Sequence, residues 1–182
     1  MRAREVSVIT CFTATAAALR LAKNVFIGSI QFVNFPAVFT IIGGLALGPV
    51  EGFIIGVMSF AFSDFLMGTV GPWTVYCSLA MGFAGFIVPF MHRIEGGSSL
   101  LGLSVCSYMS ILAYDILSSV GFFALVAPLN VALTWAIIGL FLPSPYVFYP
   151  VGLMTEIVTV SIIVVVYPRI ERIMKRGEAI GG

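Results

Sequence analysis

Between Phe35 and Pro89 the chain is an almost unbroken apolar run, interrupted by Gly48-Pro49 and Gly71-Pro72. A Gly-Pro pair ends one helix, and its proline suits the first turn of the next, where the missing N–H has no helical partner to lose. The run therefore predicts three helices joined by tight turns. An α-helix crosses a bilayer with roughly 20 apolar residues at a rise of about 1.5 Å each, and the pieces approach that length. Of the 182 residues only 9% are charged and 60% are hydrophobic, whereas a soluble domain carries about 25% charged residues. The chain is expected to be an all-α integral membrane protein, one transmembrane domain over residues 1–182. The Val/Ile-rich stretch from Ile157 to Tyr167 lacks period-two alternation, so helix is favoured over barrel strand.

Six spans are predicted: about Glu5–Lys23, Phe35–Leu47, Val50–Met67, Trp73–Met91, Leu100–Val126 and Val151–Val166. The second is short enough to be re-entrant. The proline-rich stretch Ala127–Pro150 holds one apolar piece, Val131–Leu142, too short to span with ease. It is expected to lie in the interface or fold over the bundle. Basic residues gather on the cytoplasmic side of membrane proteins. With both termini inside, Arg2, Arg4, Arg93, Arg169, Arg172, Lys175 and Arg176 are cytoplasmic, and only Arg20 and Lys23 lie toward the exterior. That bias supports six spans with both ends in the cytoplasm.

Several function classes fall away. Cys11, Cys77 and Cys106 are isolated, which indicates neither a disulfide framework nor a metal knuckle. A net charge of +1 without a basic block argues against a nucleic-acid partner. Arg2, Arg4 and Glu5 lead directly into the first span, so no cleavable leader is expected. Intramembrane hydrolysis wants clustered histidines and acids or a serine–histidine pair; the sole histidine, His92, falls at a span end, and no enzyme activity is expected. No bound cofactor is implied either.

The informative residues are charges in the wrong solvent. Arg20, Asp64, Asp115 and Glu156 come from four spans yet share one depth, toward the exterior. A charge at the membrane centre costs about 2.5–3.5 kcal/mol, so such groups pair and face inward. Together they predict a polar substrate pocket open to the outside, with Arg20 offsetting part of the acid charge. Asp115 and Glu156 lie deepest. Lys23 and Asp64, near span ends, are expected to reach water. Asn34, closing the polar segment Asn24–Asn34, joins the candidates, as does Thr74 at a helix start beside Asp64. Trp73 reads equally as a platform for a flat ligand or as part of an interfacial belt with Phe32, Phe35, Tyr76, Tyr146, Phe148 and Tyr149. Glu51 complements the positive end of its helix on the opposite side.

Ala14, Ala18 and Ala22 recur every fourth residue and so share one face of the first span. Small faces let another helix approach closely where lipid removes the hydrophobic drive. Gly44 with Gly48, and Gly52 with Gly56, form similar faces suited to internal packing.

In this order the features resemble the substrate-binding (S) components of energy-coupling factor transporters, the vitamin and micronutrient uptake systems of prokaryotic cell membranes. Ala14 and Ala18 match that family's AxxxA motif; Gly43–Gly56 resembles its turn between the second and third helices. Asp64 with Gly71-Pro72-Trp73-Thr74 resembles the next turn, and Tyr114-Asp115 an acid-bearing stretch of the fifth helix. The resemblance implies an outward pocket closed by the loops after the first helix and before the last, and toppling of the protein to release substrate inside. It implies docking of Ala14 and Ala18 on a membrane coupling protein, with ATP hydrolysed by two partner ATPases. The chain itself has no GxxxxGK[ST] phosphate loop. The metal-transporting branch carries a histidine after the initiator methionine; Arg2 stands there, which implies an organic substrate. A non-transporting assembly subunit and a self-sufficient carrier are the other readings the residues allow.

Overall fold

The computed structural model describes residues 3–28, 32–96, 99–141 and 151–180. They form seven helices: α1 Ala3–Ile27, α2 Phe35–Leu47, α3 Pro49–Met67, α4 Pro72–Ile94, α5 Leu100–Phe123, α6 Leu129–Phe141 and α7 Val151–Ile180. Both Gly-Pro pairs act as expected, since Pro49 opens α3 and Pro72 opens α4. The side chain of Asn34 caps α2 by accepting from the Ala37 N–H at 3.2 Å, and Ser99 caps α5 by accepting from Gly102 N–H at 2.9 Å. Such caps satisfy N–H groups that the helix cannot. At the end of α3, Gly68 adopts φ 68°, a left-handed closure that lacks a Cβ penalty.

Five helical segments are long and apolar enough to cross a membrane: Glu5–Ile27, Pro49–Met67, Pro72–Ile94, Leu100–Phe123 and Leu153–Met174. The protein is thus a multi-pass membrane protein. Helix α2, counted above as a span, has 13 residues, about 20 Å of helix against a hydrocarbon core of about 30 Å. Helix α6 has the same length and contains the apolar piece that begins at Val131, as far as Phe141. Two ends run longer than the sequence reading. Helix α1 continues past Lys23 to Ile27, and α7 carries the charged segment beyond Val166 as far as Ile180. Arg, Glu, Lys and Met are good helix formers once outside lipid, so loss of apolar character does not end the helix.

Helix α2 is the hub, packed on α1, α3, α4 and α7, while α5 bridges α4 to α6 and α7. Its inner residues Ala37, Ile41 and Ile42 are fully covered and join Met81, Val88, Ile111 and Ile163 in one core. The hub depends on close backbone approach. A Cβ on Gly85 would stand 2.5 Å from the Gly52 carbonyl oxygen, and one on Gly52 would stand 2.6 Å from Gly44 Cα. The glycine faces thus serve internal packing among α2, α3 and α4. The C-terminal ends of α1 and α3 meet the start of α4 through Arg20, Asp64 and Thr74, the residue ahead of α2 meets α7 through Asn34 and Thr159, and the second half of α5 meets the start of α7 through Asp115 and Glu156, so these ends share one end of the bundle.

Candidate functional site

That shared end holds every predicted site charge, in two unlike groups. The first ties α1, α3 and α4 together. Arg20 Nη1 meets Asp64 Oδ1 at 2.6 Å and also donates to Ser63 Oγ. The second Asp64 oxygen, Oδ2, accepts from the Thr74 hydroxyl at 2.6 Å. Thr74 Oγ1 in turn accepts from the Gly71 N–H at 3.1 Å, fixing the start of α4. The Arg20 guanidinium lies 4.2 Å from the centroid of the Phe60 ring, a cation–π contact. Every charge in this knot has an opposite charge or a donor directed at it, the condition under which a buried ion pair is tolerated.

Asp64 is only 2% exposed and Lys23 only 6%, so neither reaches water as expected from its place near a span end. For Lys23 the reason is the segment Val33–Pro36 and Phe60, which line one small hollow with it. For Asp64 it is the covering by Arg20 and Thr74. Among the described residues Lys23 makes no hydrogen bond or ion pair, and the charge that acts on it is Arg20. The two cations, with Asn34, Phe35 and Phe60, enclose a hollow of about 10 Å³, room for about one water molecule.

The second group lies on α5 and α7. Glu156 is 1% exposed, and among the described residues neither carboxylate oxygen meets a cation or a hydrogen bond of good geometry. Asp115 on α5 and Tyr108, two turns before it, are the polar groups that interact with it. One turn along α7, Thr159 Oγ1 accepts from the Asn34 backbone N–H at 3.0 Å and donates to the Thr155 carbonyl at 2.6 Å. This pins the loop ahead of α2 to α7. Cys77 and Tyr114 stand between the groups: Cys77 feels Asp64, Arg20 and Asp115, and the Tyr114 ring packs 5.6 Å from that of Phe60.

Trp73 stays apart. It is 41% exposed and donates its indole N–H to the Thr69 carbonyl at 2.8 Å, folded back on its own turn. Of the aromatic residues expected at this edge, Phe32 and Tyr76 are exposed, and Tyr146, Phe148 and Tyr149 lie outside the described residues, as does Arg2. Ala14 and Ala18 are exposed on the outer side of α1, Ala22 half-buried, while Ala16 and Ala17 face the core. Ser63 and Tyr108 were not singled out in the sequence, and Cys77 and Tyr114 were named there without a place at the site. Tyr108 sits seven residues before Asp115, on the same helix face, and that spacing could have identified it.

Among the described residues no three His, Cys, Asp or Glu side chains converge as a metal site would require. No protein-family model, curated protein or solved structure matches the chain.

Proposed function

We propose that this protein is the substrate-binding subunit of an energy-coupling factor type transporter, an S component of the prokaryotic cell membrane. It takes up a vitamin-like organic molecule, and partner subunits hydrolyse the ATP. One observation carries the reading: ionisable side chains from α1, α3, α5 and α7 meet at one end of the bundle, and two of them, Asp115 and Glu156, face each other there with no cation engaged among the described residues. Intramembrane ionisable groups that face inward mark solute pathways. The polar end faces outward and both termini lie in the cytoplasm, as the arginine and lysine distribution favours. The exposed Ala14–Ala18 face supports docking on a membrane coupling protein, because small residues permit close helix approach.

A second reading, a non-transporting assembly subunit, is favoured by the small hollow at the polar end, about 10 Å³. Two measurements on the purified protein separate them. A transporter subunit co-purifies with, or is thermally stabilised by, a small molecule detected by mass spectrometry; an assembly subunit is not. The double substitution Ala14→Leu/Ala18→Leu should abolish co-purification with the coupling subunit and leave small-molecule binding intact. Unchanged co-purification counts against docking through α1.

A further inference from the structure

The group around Asp64 carries one cation too many. Arg20 and Lys23 lie about one turn apart on the same face of α1. The acid that joins them in this group is Asp64, which leaves one formal positive charge. Arg20 is engaged: Asp64 and Ser63 accept from its guanidinium, and the Phe60 ring lies against it. Lys23 is only 6% exposed and has no hydrogen bond or ion pair among the described residues. An ammonium is a donor only, so what fits it must bring acceptor atoms and negative charge.

The place of the lysine adds a second observation. It lines the hollow of about 10 Å³ together with Arg20, Asn34, Phe35, Pro36 and Phe60. Asn34, Phe35 and Pro36 are the cap and first residues of α2, so the positive end of that helix borders the same space. Asn34 uses its side-chain oxygen on the Ala37 N–H; the polar atom left to its side chain is the amide nitrogen, again a donor. Neither Asp115 nor Glu156 lines the hollow, and the charge that acts on Lys23 is Arg20. A space with room for about one water molecule also has room for one carboxylate oxygen. Two cations, an amide donor and a helix start around one hollow match an anionic oxygen and repel a cation.

We infer that this hollow is an anion site: it takes one oxygen of the substrate's carboxylate, held by Lys23 Nζ and Asn34 Nδ2 at the start of α2, while the rest of the molecule stays outside it. The inference rests on the uptake reading above and narrows its substrate class to organic carboxylates. A neutral Lys23 amine or a bound chloride would also relieve the excess charge, and both are outcomes of the test.

The chain has two lysines, Lys23 and Lys175. Isotope labelling of the lysine side-chain nitrogens therefore gives one NMR signal from the hollow and one control from the charged end of α7. The full chain in chloride-free nanodiscs is titrated with benzoate, with its neutral isostere benzamide and with sodium chloride, and thermal unfolding is followed in parallel. Benzoate should shift the Lys23 signal saturably and leave that of Lys175 in place. It should bind at least about tenfold more tightly than benzamide, the scale of one charge-assisted contact. Lys23→Met keeps the apolar stem without the charge and should abolish the preference in a protein that still unfolds cooperatively. The titration of the parent chain decides the matter if that variant misfolds. Equal binding of benzoate and benzamide, an unmoved Lys23 signal (the result for a neutral amine), or a preference that survives Lys23→Met overturns the inference. A response to chloride alone does so too, because it makes the hollow a halide site. If the co-purifying molecule lacks a carboxylate, the uptake reading stands and the anion assignment fails. If benzoate binds at Lys23 but no small molecule co-purifies and no coupling subunit associates, the reverse holds.

Discussion

The two polar groups at the end of the bundle are built from the same residue types and have opposite character. Around Asp64, both carboxylate oxygens are taken, one by Arg20 and one by Thr74, and three helices are joined. Around Glu156, as deeply buried, no cation is engaged among the described residues, and the neighbours are a second acid, Asp115, and the Tyr108 hydroxyl. The contrast teaches that burial of a carboxylate does not say what it is for. A satisfied acid is part of the scaffold, whereas an unsatisfied one costs stability and persists where another role compensates.

The comparison can be broken most forcefully at Asp64. Asp64→Ala leaves the half-buried Arg20 without its counter-charge and Thr74 without its acceptor, and the loss in unfolding free energy should be about 3 kcal/mol. Denaturant titration in mixed micelles measures it. The double variant Arg20→Met/Asp64→Leu removes both charges and should return to within about 1 kcal/mol of the parent; a double variant as weak as the single one would deny that the knot is an ion pair. Next in size is Thr74→Val, which keeps the shape but strips a donor from Asp64 Oδ2. It should cost about 1–3 kcal/mol in the same assay. The smallest effect belongs to the other acid. Glu156→Gln removes a buried charge that no cation offsets and should leave stability within about 0.5 kcal/mol of the parent or raise it. A loss as large as that of Asp64→Ala would erase the distinction between the two groups.

Much of the fold was legible in the sequence because its signals are local. Gly48-Pro49 and Gly71-Pro72 fix helix boundaries through backbone chemistry alone, and the structure begins α3 and α4 at those prolines. The position of the charges along their helices was also legible, since alternating direction brings Arg20, Asp64, Asp115 and Glu156 to one end. Their pairing was not. Helical periodicity says which face a residue occupies but not which neighbour it meets, so nothing local told that Arg20 would be consumed by Asp64 and withheld from Asp115 and Glu156. Tyr108 escaped for the same reason, as a tyrosine on an apolar helix whose importance depends on α7. Lys23 was misread as wet because a long side chain near a span end can reach water, while Val33–Pro36 and Phe60, distant in the chain, close around it.

The contact of Gly44, Gly52 and Gly85 has a mechanical consequence. Main chain rests on main chain there, with no side-chain layer to slide or re-pack, so α2, α3 and α4 travel as one stiff block carrying Asp64 and Thr74 with them. Compliance is left to the partners joined through longer side chains. Of the two acidic groups, it is the one on α5 and α7 whose walls can part without tearing the block.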